Sequence, residues 1–166
     1  MGKQMKHILY HGGTECITRP LCDVGRENLD FGKGFYLTDI KEQAVRWAKA
    51  VALRKRKTPV LNLYAFDRDG ALRDAQCKIF TAYNAEWLEF IVANRQGRNS
   101  ESFDYVEGGV ADDRVIDTIN LYIGGLLDIE TTLERLSAYK PSNQICILNQ
   151  EILDKYLVYY GTESIE

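Results

Sequence analysis

Apolar residues recur along the chain in two rhythms. Short runs rich in Ile, Val, Tyr and Phe occupy Ile8–Tyr10, Phe35–Thr38, Val60–Phe66 and Ile145–Leu148, each ending near polar residues or glycine. Runs of that length and composition predict strands, and Leu157–Tyr160 reads as a fifth. Between them the spacing shifts to three and four residues, the period of a helix with one buried face. Ala44, Val45, Ala48, Val51 and Ala52 mark such a face over Ile40–Arg56, where Asp39 and Glu42 form a capping-box arrangement. Leu88, Ile91 and Val92 predict a helix over Ala85–Asn94. Val115, Ile116, Ile119 and Ile123 predict another over Asp113–Ile123, capped by Asp112. Leu133 and Leu136 follow Asp128 in Ile129–Leu136, and a short helix is expected over Glu151–Tyr156. The order is mixed, without regular β-α-β alternation. No Gly-x-Gly-x-x-Gly follows the first strand and no phosphate-binding Gly-x-x-x-x-Gly-Lys-Ser/Thr occurs, so the pattern predicts an α+β fold and not a dinucleotide-binding doubly wound sheet.

Composition narrows this picture further. The 166 residues suit one domain over 1–166, long enough to bury a core without disulfide or metal support. Hydrophobic residues make up 45% and charged residues 27%, which excludes a disordered or repetitive chain. The net charge of −3 gives no global attraction to nucleic acid. Two histidines cannot make a three-histidine metal site, and the four cysteines, Cys16, Cys22, Cys77 and Cys146, have no zinc-binding spacing. They read as reduced thiols. No signal segment and no membrane-length apolar run is found, so a soluble, cytoplasmic protein without metal is expected.

Four constellations carry possible chemistry. Tyr10-His11-Gly12-Gly13 ends the first strand. A histidine there can donate a hydrogen bond to a ribose hydroxyl or phosphate, and the glycines would admit a ligand close to the backbone. The alternative is a strand-ending turn with a satisfied histidine. Asp30-Phe31-Gly32-Lys33-Gly34-Phe35-Tyr36-Leu37-Thr38 is a glycine-bracketed loop feeding an aromatic strand, with Tyr36 and Thr38 on one face. Trp47 follows Tyr36 by eleven residues. A helix folded back antiparallel to that strand brings the two rings to similar depth, either to stack a flat ligand or to pack as a core pair. Asn143-Gln144 opens the strand Ile145–Leu148, with Gln144 on the face of Cys146 and Leu148.

Together these residues resemble the ADP-ribosyltransferase fold, especially the catalytic domain of poly(ADP-ribose) polymerases. There a His-Gly pair ends a strand and a Phe-Gly-Lys-Gly loop leads to an aromatic-Tyr strand. A second aromatic follows eleven residues on, and a late strand opens with Asn-Glu. The resemblance covers residues 7–49 and 141–149. The whole chain is also similar to a small bacterial family known as a domain of unknown function, through its His-Gly, Asp-Phe-Gly-x-Gly-Phe-Tyr and Ala-Asp-Asp segments.

The first resemblance implies a split β-sheet core with flanking helices and NAD as substrate. It implies that His11 bonds the adenosine ribose, that the Gly12 backbone holds the nicotinamide carboxamide, and that Tyr36 and Trp47 sandwich the nicotinamide ring. Gln144 stands at the family's glutamate. Three positions depart from the pattern. Gly13 replaces the usual Ser or Thr, with Thr14 one place later; Ala44 replaces a serine; Gln144 replaces the glutamate. Cleaving the nicotinamide–ribose bond passes through an oxocarbenium-like state, which a carboxylate stabilises better than an amide dipole.

The expected activity is therefore transfer of a single ADP-ribose, as a mono-ADP-ribosyltransferase of toxin or effector type. The alternative is a non-catalytic module that binds NAD or ADP-ribose. The acceptor is open among protein, nucleic acid and small molecule, and a neutralising antitoxin-type protein is a conceivable partner. An acid from Asp104–Asp113 would compensate for Gln144, with Asp112 and Asp113 near substrate. The other reading makes those two a helix cap and a first-turn acid. Arg54-Lys55-Arg56-Lys57 reads as a solvated helix end, or else as a contact for substrate phosphate or nucleic acid.

Overall fold

The computed structural model describes residues 7–25, 27, 29–99 and 101–166. Its strands are β1 (His7–Gly13), β2 (Phe35–Leu37), β3 (Val60–Phe66), β4 (Cys77–Ile79), β5 (Tyr105–Gly109), β6 (Asn143–Ile147) and β7 (Leu157–Ser164). Its helices are α1 (Lys41–Lys55), α2 (Arg68–Asp74), α3 (Ala85–Arg95), α4 (Asp113–Ile123), α5 (Ile129–Leu136) and α6 (Gln150–Tyr156). They build two sheets. One is antiparallel, in the order β1-β3-β7. The other runs β2-β6-β5-β4, with only β4 and β5 parallel. The class is α+β, as the mixed order of runs predicts.

Strand alternation divides the second sheet between two cores. Phe35, Leu37, Tyr105, Ile145 and Ile147 join Leu9, Tyr64 and Phe66 of the first sheet in one cluster. Val106 and Cys146, on the opposite face, meet Trp87, Leu88 and Ile91 of α3 and Val115 and Ile119 of α4 in the other. Trp87 is fully buried, and its indole N–H donates to Gly109 O at 3.1 Å, so the ring packs without stranding a polar atom. One carboxylate is buried with its countercharge. Glu107 on β5 accepts from Arg68 Nε at 3.1 Å and Nη2 at 2.8 Å, and from the Tyr105 hydroxyl at 2.8 Å.

Helix α1 lies against β1 because β1 carries glycine where they cross. A Cβ on Gly12 would stand 2.0 Å from Ala44 O and 2.9 Å from Ala48 N. Ala44, Ala48 and Ala52 form the buried stripe of the helix. The missing side chain of Gly12 thus lets a helix approach the strand. The Asp39 capping box does not form either. The cap is Ile40, one residue later, with no side-chain bond, and Thr38 Oγ1 accepts from Ile40 N at 3.1 Å instead. No helix among the described residues is long and apolar enough to cross a membrane.

A methyl group at position 12 meets backbone that cannot rotate aside. Gly12→Ala should lower unfolding free energy by about 1–3 kcal/mol, the usual cost of overpacking. At Gly13 a Cβ would meet nothing closer than His11 Nε2 at 3.8 Å, so Gly13→Ala should be near neutral. Chemical denaturation of the two variants checks the difference. Equal stabilities would mean that α1 does not rest on β1.

Candidate functional site

The site begins where two strands part. Tyr10 N donates to Thr38 O at 2.8 Å and Thr38 N donates to Tyr10 O at 3.0 Å, an isolated bridge between the sheets. In an antiparallel pair, successive residues turn their N–H and C=O groups alternately to either edge. Tyr10 turns its pair away from β3, so Gly12, two residues on, does the same. Past Thr38 the bridge does not continue. Among the described residues Gly12 N–H and C=O have no partner on that edge. The fork therefore offers one donor and one acceptor side by side on a rigid strand.

His11 sits beside this pair and spans the fork. Its Nδ1 lies 2.7 Å from Tyr36 O, and its ring stacks on Phe35 with centroids 4.3 Å apart. A carbonyl only accepts, so Nδ1 carries the hydrogen. Burial lowers the pKa of His11 below its usual value, outweighing the bond to Tyr36 that favours the charged form. The ring is then neutral and Nε2 is an acceptor. The expectation that His11 donates to a hydroxyl or phosphate is reversed: Nε2 can receive a hydrogen bond from a hydroxyl and repels a phosphate oxygen.

His11, Gly12, Gly13, Thr14 and Tyr36 all line one cleft of about 650 Å³. Its outer wall is the segment after β1, through Ile17, Arg19, Leu21, Val24 and Leu29. Its floor includes Val51, Arg54 and Lys55 from the end of α1. The volume suits a ligand of dinucleotide scale. Among the described residues three cations line it against one carboxylate, Glu15, which itself lies 3.8 Å from Lys57 Nζ. The wall segment has neither period, so its sequence predicts no helix or strand. Its only signals are Pro20, Gly25 and scattered apolar residues.

Tyr36 is half-buried, and its hydroxyl is fully engaged. It donates to Gly32 O at 2.6 Å and accepts from Phe31 N at 3.1 Å. Burial pushes its pKa up, so the phenol does not act as a base. What it presents is ring surface held by its own loop. Trp47, also half-buried, falls in the α1 stripe Gln43, Trp47, Val51, Arg54. Gln43 at one end reaches Thr38 Oγ1 at 3.1 Å, and Val51 and Arg54 at the other line the cleft. Trp47 does not itself line it, and it forms no pair with Tyr36, so the aromatic core pair is not what these two rings make. Gln144 is 4% exposed, opposite Gly108 and one step past the β2–β6 pairing. It lies on the Cys146 face, as alternation predicts, and is likewise not a lining residue.

Asp112 and Asp113 take the structural reading. Asp112 Oδ1 accepts from Val115 N at 3.1 Å as the cap of α4, and Asp113 is its first-turn acid. Both are exposed and neither lines the cleft. The Tyr105–Gly109 part of that acidic segment is a buried strand, and its Glu107 is committed to Arg68. Among the described residues no group of three or more His, Cys, Asp or Glu is arranged to hold a metal ion.

A family model described as Protein of unknown function (DUF3990) matches residues 7–159. The chain belongs to this family. No curated protein and no solved structure matches it. The DUF3990 match begins at the first residue of β1 and ends within β7, so every element that builds the fork and the cleft falls inside it.

The state of His11 has a stability signature. Its folded pKa lies below the unfolded value of 6.5, so the unfolded chain takes up this proton first as pH falls. The DUF3990 protein should lose stability below about pH 6.5, by up to about 1.4 kcal/mol per pH unit, until the folded pKa is reached. His11→Gln removes that part of the slope while carboxylate titration stays. Denaturation midpoints of both proteins across pH 4.5–8 check this. Parallel curves would place the His11 pKa at its ordinary value.

Proposed function

We propose that this DUF3990 protein binds NAD in the cleft and breaks its nicotinamide–ribose bond, passing a single ADP-ribose to an acceptor. The observation that carries this reading is the open N–H and C=O pair of Gly12 beside a neutral His11. A primary carboxamide offers the complementary acceptor and donor, and nicotinamide has one. A ribose hydroxyl is the complement of Nε2 of His11. Thr14 adds a hydroxyl at the strand end, and Arg19, Arg54 and Lys55 supply positive charge for the diphosphate. Tyr36 gives a pinned ring on which a pyridinium can lie, and Trp47, outside the lining but one turn before Val51 on α1, is the candidate for its other face.

Gln144 has the harder task. As the C1′–N bond lengthens, positive charge develops on the ribose. The amide oxygen of Gln144 can face it and orient a ribose hydroxyl, but it brings no net charge. Gln144 also lies outside the cleft lining, which favours the second reading, a module that binds NAD or ADP-ribose without turnover. Calorimetric NAD binding with no nicotinamide release would select that module.

Two sets of variants test the first reading. Tyr36→Ala and Trp47→Ala should each weaken NAD binding by about 1–3 kcal/mol in a folded protein, as loss of a stacking partner does. Gln144→Ala should slow single-turnover nicotinamide release far more than it weakens binding, the mark of a transition-state contact. Gln144→Glu should speed release, by up to about a hundredfold where a carboxylate is worth about 3 kcal/mol. Equal release by the folded wild type and both Gln144 variants would remove Gln144 from the chemistry. Absence of NAD binding in calorimetry would end both readings.

A further inference from the structure

Charge is distributed very unevenly in this chain. Residues 41–57 hold seven of its 21 Lys and Arg and only one of its 24 acids, so this stretch carries +6 in a protein of net −3. Arg46, Lys49, Arg54, Lys55, Arg56 and Lys57 are all exposed. Lys57 pairs loosely with Glu15; the other five form no ion pair among the described residues. A helix C-terminus attracts cations to its last turn. That accounts for Arg54 and Lys55, and not for Arg46 and Lys49 in the middle of α1. The 15-residue helix is about 22 Å long at 1.5 Å per residue, enough to run beside several nucleotides. Its positive end opens directly into the cleft through Arg54 and Lys55.

We propose that α1 docks a single-stranded nucleic acid and that a base of this strand is the ADP-ribose acceptor. The transfer half rests on the NAD reading above; the docking half does not. A helix set with cations that have no ion pair among the described residues, and whose last turn lines a cavity, matches a backbone with regularly repeated phosphates, held by charge alone and without base readout. A base inside a duplex cannot enter a cleft without leaving its stack, so the strand is single. In the transfer, a base nitrogen bearing a hydrogen attacks C1′ of the nicotinamide ribose. The C1′–N bond to nicotinamide breaks, its electron pair leaves with nicotinamide, and the proton of the attacking nitrogen passes to water.

The test uses residues outside the cleft lining. Wild type should bind a short fluorescent single-stranded oligonucleotide in anisotropy titrations, with strong salt dependence. The triple variant Arg46→Gln, Lys49→Gln, Arg56→Asn should bind at least tenfold more weakly at low salt. Its log–log salt slope should fall by about 2, from about 0.7 per lost phosphate contact. Arg46→Lys with Arg56→Lys should retain the wild-type slope. With labelled NAD, label entering the oligonucleotide should fall tenfold or more in the triple variant, while nicotinamide release without oligonucleotide stays at the wild-type rate. Docking is overturned if wild type does not bind the strand, or if polyglutamate binds as tightly with the same salt slope. Nicotinamide release without labelled oligonucleotide overturns the transfer. Oligonucleotide binding with no nicotinamide release means that the NAD reading has failed and the docking surface has not.

Discussion

Tyr10 and Thr38 exchange two backbone hydrogen bonds, and the geometry of the site follows from that one bridge. It holds the sheets together at a single point, beyond which β1 and β2 separate. Thr38 is fully buried, so its hydroxyl must be satisfied internally. Thr38 Oγ1 donates to Asn143 O at 3.0 Å and accepts from Ile40 N and from Gln43 Nε2. Gln43 Nε2 also donates to Asn143 O at 3.2 Å. One buried threonine thereby registers β1, β2, the start of α1 and the start of β6. A shift in any of them would strand a buried polar group, at a cost of about 1–3 kcal/mol. Gly12 and Gln144 inherit their places from this cluster without belonging to it.

The loop from Asp30 to Gly34 works on the other side of the fork. Asp30 pairs with Arg95 at 2.7 Å, and its carbonyl accepts from Asn94 Nδ2 at 2.8 Å. Phe31 is buried at the end of α3 among Phe80 and Phe90. The loop is thus fastened to α3, and the Tyr36 hydroxyl is fastened to the loop. Phe31, Gly32 and Tyr36, the most distinctive residues of that segment, serve to hold one ring still. Lys33 is exposed and takes no part in the cleft. A motif that looks like a ligand grip is in physical terms a brace for the residue that follows it.

This explains how far the sequence could be read. Elements with strong period or clear caps came out closely: α4 and α5 begin after Asp112 and Asp128, whose side chains accept from the N–H three residues on. The strands around His11, Tyr36 and Gln144 were legible because β-branched and aromatic residues cluster there. Strands β4 and β5 and helix α2 were not. Tyr105–Gly109 is buried along its whole length, so it shows no alternation, and its charged and glycine residues mimic a loop. Gly108 and Gly109 are there because the Phe80 and Tyr83 rings lie over them, a contact made across the fold. The cleft wall from Glu15 to Gly25 was invisible for the same reason: its place is set by partners far away in the chain, such as Cys22 N donating to Gln150 Oε1 at 3.0 Å. The hydrogen position on His11 was equally beyond sequence, since it depends on the carbonyl of Tyr36.

The fold also shows what a carboxylate in its interior requires. Glu107 is 6% exposed, and Arg68 and Tyr105 supply three hydrogen bonds to it. A buried charge without such partners costs several kcal/mol or gives up its ionisation. Gln144 is buried to the same degree and, being neutral, needs no countercharge. A glutamate there would face desolvation in the free protein, and its pKa would rise. Stability would then decline as pH rises from the unfolded pKa toward the raised folded one, since the folded state holds the proton longer. The amide avoids that loss of stability at neutral pH. A charge at this one position would therefore be set against the stability of the fold, and the neutral amide is free of that conflict.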